Sequence, residues 1–399
     1  MSPFLRSAVV LGLLCATGPL AIDMFLPAMP TIAENLGGTM AGAQLTISAY
    51  FIAYGLAQMV YGPVADVVGR KPPLIAGLVL FLAGSIGCAL APDMNWLVAA
   101  RVVQALGGAA AMVIPRAIIR DMHTGPQATR LMALVMLIIS VSPMLAPLIG
   151  SGIVAVSGWR AIFGVLALVA LMSIAITLLM QPETLALEKR APVRLAALSG
   201  GIRTLLRDPV FMGLTFVGAF GMASFFVFLA SASFVYTGHY GLTPTGFSLA
   251  FAANAAGFFS ASQLAARLGE KFGAEKVVTR AVSGFLGFTL VLLALVWFGV
   301  DHFALLVALL ICANACLGLV IPTAMVMALD DHGDIAGLAS SLGGMLQMMV
   351  GGVMTILAGP FFDGTPLPMV AAIALAAVLS FAAMRITDTA RGRRAVVVA

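Results

Sequence analysis

The chain has 399 residues, 61% of them hydrophobic and only 9% charged, with a mean hydropathy of +1.09. Soluble domains are nearer half apolar, so this composition excludes one, and roughly twelve membrane passes of about 20 residues fit the length. The net charge of +5 does not point to nucleic acid, because the Lys and Arg lie between apolar runs rather than in a patch.

In chain order, apolar runs place membrane helices over 5–28, 44–62, 73–91, 96–116, 130–154 and 160–180, then over 209–233, 245–266, 278–299, 303–327, 337–359 and 368–386. The first run has a superficial likeness to a signal peptide, but it is long, contains Asp23 and Pro27, and precedes many more spans, so a retained helix is expected. It can continue past Pro27 and Pro30 towards Leu36, since membrane helices tolerate proline. With the N-terminus placed in the cytoplasm, every Lys and Arg except Arg101 and Arg160 falls in or beside a cytoplasmic segment. The positive-inside rule therefore predicts both termini on the cytoplasmic side.

The longest polar stretch, 181–208, divides the chain into an expected N-terminal half (1–180), a cytoplasmic linker and a C-terminal half (209–399). Two echoes suggest an internal repeat of six helices. Ala111-Met112-Val113-Ile114-Pro115 at the end of the fourth span matches Gly318-Leu319-Val320-Ile321-Pro322 at the end of the tenth. Glu270-Lys271-Phe272-Gly273 likewise matches Asp66-Val67-Val68-Gly69.

Ionisable residues inside spans are costly and are candidates for function. Asp23 is the only carboxylate clearly inside a span, and Arg101 the only base. The first span runs outward and the fourth inward, so the two fall at similar depth and a direct pair is a hypothesis. A carboxylate at that depth is a candidate to exchange protons against substrate. Corresponding positions in the second half are apolar, which assigns proton chemistry to the first half. In the fifth span Pro143, Pro147 and Gly150 predict a kinked helix that packs closely at Gly150 and Gly152.

Candidate cavity groups are Tyr50, Tyr54 and Gln58, which share one helix face, the embedded polar residues Gln104, Asn254, Asn314 and Gln347, and Phe220 and Phe226 of the seventh span. Cys15, Cys88, Cys312 and Cys316 fall in apolar runs and read as small hydrophobes, without a metal site or disulfide framework. No helix carries a His pair, a carboxylate pair or a Ser/His constellation, and no phosphate-binding glycine loop is present. An enzyme or an ATP-driven pump is therefore not expected.

Between the second and third spans lies Gly62-Pro63-Val64-Ala65-Asp66-Val67-Val68-Gly69-Arg70-Lys71-Pro72. Gly62 and Gly69 would permit close backbone approach and positive φ. This stretch resembles the loop signature of the major facilitator superfamily, G-x-x-x-D-x-x-G-R-K/R, with Val67 where many members carry Arg. Ala146-Pro147-Leu148-Ile149-Gly150-Ser151 is similar to the antiporter signature of the fifth span, with Ala and Ser replacing two glycines.

Further stretches resemble the bicyclomycin/chloramphenicol-resistance branch of the drug:proton antiporters. They are Pro19 to Pro30 around Asp23, Arg101-Val102-Val103-Gln104-Ala105-Leu106-Gly107-Gly108, Arg116 to Asp121, Gly158 to Phe163, and Pro182-Glu183-Thr184-Leu185. The resemblance implies an all-α fold of twelve transmembrane helices in two halves, in a bacterial inner membrane, exporting lipophilic drugs by proton antiport. It implies coupling roles for Asp23 and Arg101, and a cytoplasmic latch at Gly62, Asp66, Gly69, Arg70 and Lys71. The latch has a physical basis: the helix starting near Ile335 presents an N-terminus that favours an anion such as Asp66. The expected partners are a small lipophilic substrate, protons and lipid; the protein is expected to be a monomer, with no cofactor beyond the proton gradient. Export of an endogenous metabolite, such as an amino acid or sugar derivative, is the alternative.

Overall fold

The computed structural model describes residues 3–123, 125–190 and 195–398. The chain divides into two compact units, Met1–Arg194 and Leu195–Ala399. The boundary falls inside the expected linker, so that its second part belongs to the second unit. The first unit contains α1 (Pro3–Asp23), α2 (Met29–Asn35), α3 (Met40–Val68), α4 (Lys71–Ala89), α5 (Met94–Met122), α6 (Gly125–Ser157) and α7 (Arg160–Met180). The second contains α8 (Leu195–Arg207), α9 (Pro209–Phe234), α10 (Pro244–Phe272), α11 (Ala274–Trp297), α12 (Phe303–Leu329), α13 (Ala336–Ala358) and α14 (Pro366–Val398).

Among the described residues, eleven helices are long and apolar enough to cross a membrane. The remaining long helix, α10, carries Asn254, Gln263 and several Ser, Thr and Gly, and its last turns hold Arg267, Glu270 and Lys271. The helix ends follow local chemistry. Thr39, Asp93 and Thr243 sit just before α3, α5 and α10 and accept from the backbone N–H of Gly42, Trp96 and Gly246, which satisfies donors the first turn would otherwise strand.

The repeat is visible in the packing. In the first unit α4 packs on α5 and α7, α3 on α5, and α1 on α5, α6 and α7. In the second, α11 packs on α12 and α14, α10 on α12, and α9 on α12, α13 and α14. The six-helix pattern is the same. Pro115 and Pro322, expected at helix ends, lie inside α5 and α12, which continue to Met122 and Leu329.

Small residues set the closest contacts, as membrane helices require when lipid supplies no hydrophobic contrast. Along α4 and α5, a Cβ on Gly84 would lie 2.4 Å from the Gln104 nitrogen, and one on Gly107 would lie 2.3 Å from the Phe81 nitrogen.

Candidate functional site

The first span is not one continuous helix. α1 stops at Asp23, a 3-10 turn covers Leu26–Ala28, and α2 begins at Met29. Pro27 has no N–H and cannot donate to the Asp23 carbonyl four residues back, and Pro30 repeats the defect one turn on. The break leaves carbonyls at the end of α1 without helical partners. Arg101, fully buried on α5, supplies one: its Nη1 donates to the Ala21 carbonyl at 3.0 Å. A cation at a helix C-terminus is also favoured by the helix dipole.

Arg101 is itself held in place. The same Nη1 donates to Gln104 Oε1 at 2.7 Å, Gln104 Nε2 donates to Ser85 Oγ at 2.8 Å, and Ser85 donates to the Phe81 carbonyl at 2.7 Å. The guanidinium carbon lies 4.3 Å from the Tyr50 ring centre and 4.7 Å from that of Phe25, within cation–π range. Its Nε and Nη2 have no hydrogen-bond partner among the described residues.

Asp23 is 4% exposed, and its Oδ2 also lacks a partner among the described residues. The direct Asp23–Arg101 ion pair expected from matched depth is not formed among the described residues. The broken helix explains the difference: its freed Ala21 carbonyl, two residues before Asp23, takes the guanidinium instead. Behind the break, α6 approaches closely. A Cβ on Gly150 would lie 2.3 Å from the Met24 carbonyl oxygen, so only glycine fits against that turn. Gly152, expected to pack closely as well, has nothing within 4 Å. Pro143 and Pro147 lie inside an unbroken α6.

The tyrosine face of α3 belongs to this cluster. Tyr50 and Tyr54 are buried and stack at 5.7 Å. Tyr50 donates weakly to the Gly18 carbonyl at 3.4 Å, and Tyr54 fills the space over Gly18 of α1. Gln58 is half-buried. Gln104, proposed as a cavity group, is wholly buried and acts on Arg101.

At the other end of the unit is a clasp of charges. Gly69 adopts φ +99°, and a Cβ there would lie 2.6 Å from Glu183 Oε2. Arg70 is buried; its Nε and Nη2 reach the two oxygens of Asp121 at 2.8 and 3.3 Å, and its Nη1 reaches Asp66 at 2.5 Å. Glu183, just past α7, accepts from the backbone N–H of Arg70 at 2.9 Å and of Lys71 at 3.0 Å, so it caps the start of α4. Lys71 Nζ returns the contact, donating to the Leu178 carbonyl at the end of α7.

Partial burial works against the Arg70 charge, but the Asp121 and Asp66 carboxylates outweigh it and hold the guanidinium above its ordinary range. Partial burial likewise works against Glu183. The N–H groups of Arg70, Leu185 and Lys71, with the Arg190 guanidinium, outweigh it and hold the carboxyl below the usual range.

Three of the expected latch residues, Asp66, Arg70 and Lys71, thus engage partners within their own unit. Gly62 lies inside α3 with nothing within 4 Å of where a Cβ would stand, not at a close approach. Asp121, Glu183 and Ser85 were not singled out for roles. The available signal was the scarcity of charge: an acid at a helix end in so apolar a chain needs a partner.

In the second unit Asn314 Nδ2 donates to Asn254 Oδ1 at 3.2 Å, with both residues buried. Around them rings pack ring on ring, including Phe228 on Phe251 and Phe225 on Phe258. Phe220 stacks on Phe216, Phe226 fills the space over Gly351 of α13, and half-buried Gln347 lies against Gly218 of α9. The candidates of the two halves thus form separate clusters, one ionic and one aromatic.

A model of the Major Facilitator Superfamily matches residues 11–356. The chain belongs to this superfamily. It is 33% identical over 377 residues to YdgK of Bacillus subtilis, an uncharacterized MFS-type transporter, covering 94% of this chain and 93% of that one. It is 31% identical over 379 residues to a bicyclomycin resistance protein homolog of Haemophilus influenzae, with 93% of each covered. Among solved structures the nucleoside transporter NupG superposes with a TM-score of 0.76 at 13% identity, over 96% of this chain and all of that one. At that identity the likeness shows the fold. The superfamily membership makes the chain a multi-pass membrane transporter, and the two six-helix units are its two halves.

Proposed function

We propose that the chain exports lipophilic drugs of the bicyclomycin or amphenicol kind from the bacterial cytoplasm, driven by protons entering in exchange. The observation that carries this reading is Asp23: a carboxylate at membrane depth, buried at a helix break, with an oxygen left without a partner among the described residues. Such a group is expensive to keep unless it has work to do. Its position two residues past the Ala21 carbonyl that holds a fixed cation, Arg101, suits an exchange in which proton and substrate alternate. Arg101 then keeps the break open at Ala21, and Gln104 and Ser85 position Arg101. The drug class comes from the relative named for bicyclomycin resistance, and the direction of export goes with it. By the positive-inside rule the clasp end and both termini face the cytoplasm.

The test is uptake of labelled bicyclomycin into inverted membrane vesicles with an acidic interior, wild type against Asp23→Asn. The expected result is uptake that collapses with the gradient and is lost in the variant. Variant uptake equal to wild type would remove Asp23 from coupling. Uptake by neither would turn the reading towards export of an endogenous metabolite.

A further inference from the structure

α5 carries a second inward cation whose surroundings are the reverse of those of Arg101. Arg116 lies fifteen residues further along, about 22 Å away, and five residues, about 7.5 Å, short of Asp121 in the clasp. It is only partly buried. Its Nη2 rests 3.5 Å from the Met112 sulfur, a weak acceptor, and its Nε is buried with no hydrogen-bond partner among the described residues. No described carboxylate pairs with it. The titratable groups in electrostatic reach are the Cys15 thiol of α1 and the Tyr54 phenol of α3, both neutral in their ordinary ranges near pH 7.

A guanidinium always carries its charge and presents donors in a fork that fits carboxylate and phosphate. Arg70 shows what this chain does when it wants such a fork satisfied internally: it provides Asp121 and Asp66. Arg101 shows the other internal solution, with a carbonyl, an amide and two rings. Arg116 has neither, although the helix that carries it is otherwise closely packed. With only the neutral Cys15 of α1 and Tyr54 of α3 in electrostatic reach, it has no anion beside it among the described residues.

We propose that Arg116 is a specificity-determining residue that receives an acidic group, carboxylate, sulfonate or phosphate, on amphipathic molecules entering from the clasp end. This rests on the export reading and narrows its substrate class to include lipophilic anions.

The experiment measures binding to the purified full-length protein in detergent, using 2-naphthoate and its neutral counterpart 2-naphthamide. Wild type is expected to prefer the acid by about tenfold or more, the scale of one charge-assisted hydrogen bond in a partly dry site. Arg116→Met should erase the preference. Arg116→Lys, which keeps the charge but not the fork, should retain part of it, and it carries the test if Arg116→Met lowers the melting temperature. Equal affinity for the two probes in wild type, a preference that survives in folded Arg116→Met, or binding of neither probe overturns the proposal. Added phosphatidylglycerol distinguishes the source of the anion: displacement of naphthoate by the lipid would make a headgroup the natural occupant, and no displacement leaves the transported molecule. Binding needs no gradient, so an intact naphthoate preference without gradient-driven drug uptake would sink the export reading alone.

Discussion

Gly69 and Gly273 occupy matching turns, between α3 and α4 in the first half and between α10 and α11 in the second, with φ of +99° and +88°. Only glycine adopts such angles without strain, and the repeat has kept it at both. What surrounds the two turns differs. At Gly69 a Cβ would run into Glu183 and Arg190, and the next two residues are tied to Asp121, Asp66, Glu183 and Leu178. At Gly273 nothing lies within 4 Å; Lys271 covers the Phe272 ring, and Glu275 meets Arg391 only at 3.9 Å. The contrast recurs deeper in the units. The first half buries a guanidinium and a carboxylate, where the second buries two amides and stacked phenyl rings. The repeat therefore fixes backbone geometry and leaves the chemistry to each half: the buried Arg70, Arg101 and Asp23 lie in the first, while the second pairs His332 with Asp208 and His239 with Asp301.

The hardest test of that asymmetry is Arg101→Ala. It strands the Ala21 carbonyl and the Gln104 amide oxygen in a dry site, at about 3 kcal/mol or more. The melting temperature in detergent should fall sharply and gradient-driven uptake should be lost. Asn314→Ala, which removes the neutral counterpart, should cost about 1–2 kcal/mol and leave gradient dependence intact. If the two variants lose stability and coupling equally, the division of labour between the halves is wrong.

The turns offer a finer comparison. Gly273→Ala should cost about 1–2 kcal/mol, the strain of its φ alone. Gly69→Ala should cost more, because the added methyl must also displace Glu183. Equal melting temperatures for the two variants would mean that the clasp yields freely and is not a rigid structure.

How much of this was legible in the sequence follows the same division. Helix count, the two halves, and the singular positions of Asp23 and Arg101 could be read because charge inside an apolar run is rare and each instance stands out. The Asp23–Arg101 pair stays a hypothesis at the level of sequence because depth along two helices says nothing about which acceptor a guanidinium meets. The prolines at 27 and 30 mark where α1 gives way at Asp23, and the Ala21 carbonyl at that end takes the guanidinium. Glu183 acting on Arg70 and Lys71, more than a hundred residues away, is a tertiary fact that no local spacing encodes. Tyr50, Tyr54 and Gln58 do share a face, but periodicity cannot say whether that face meets a ligand or, as for the two tyrosines, a neighbouring helix.

Glu183 makes the clasp sensitive to acid. Its carboxyl is held below the ordinary value of 4.5 in the folded protein. A group shifted downward stabilises the fold fully above its unfolded value and loses that contribution as pH falls through the folded one. The melting temperature should therefore decline on acidification below about pH 4.5, and Glu183→Gln should flatten that part of the decline. At neutral pH the same variant should lose about 1 kcal/mol, since the amide oxygen still accepts one N–H but the charge at the start of α4 is gone. Glu183 is exposed, and solvent screening keeps this figure at the low end. A decline of the same shape in wild type and variant would assign the acid response to groups other than Glu183.

The smallest effect belongs to the second half's loose turn. Arg391 and Glu275 are 3.9 Å apart, and the Glu275 side chain is 60% exposed. Exposed pairs of this kind contribute about 0–1 kcal/mol, so Arg391→Ala should leave the melting temperature and its salt dependence nearly unchanged. Arg70→Ala at the first turn leaves the Asp121 carboxylate, whose side chain is 18% exposed, with the Thr184 hydroxyl but no guanidinium, and its effect should be severalfold larger. A sizeable loss in Arg391→Ala would show that the second turn is clasped in the working protein after all, and the asymmetry would then be confined to the buried charges at Asp23 and Arg101.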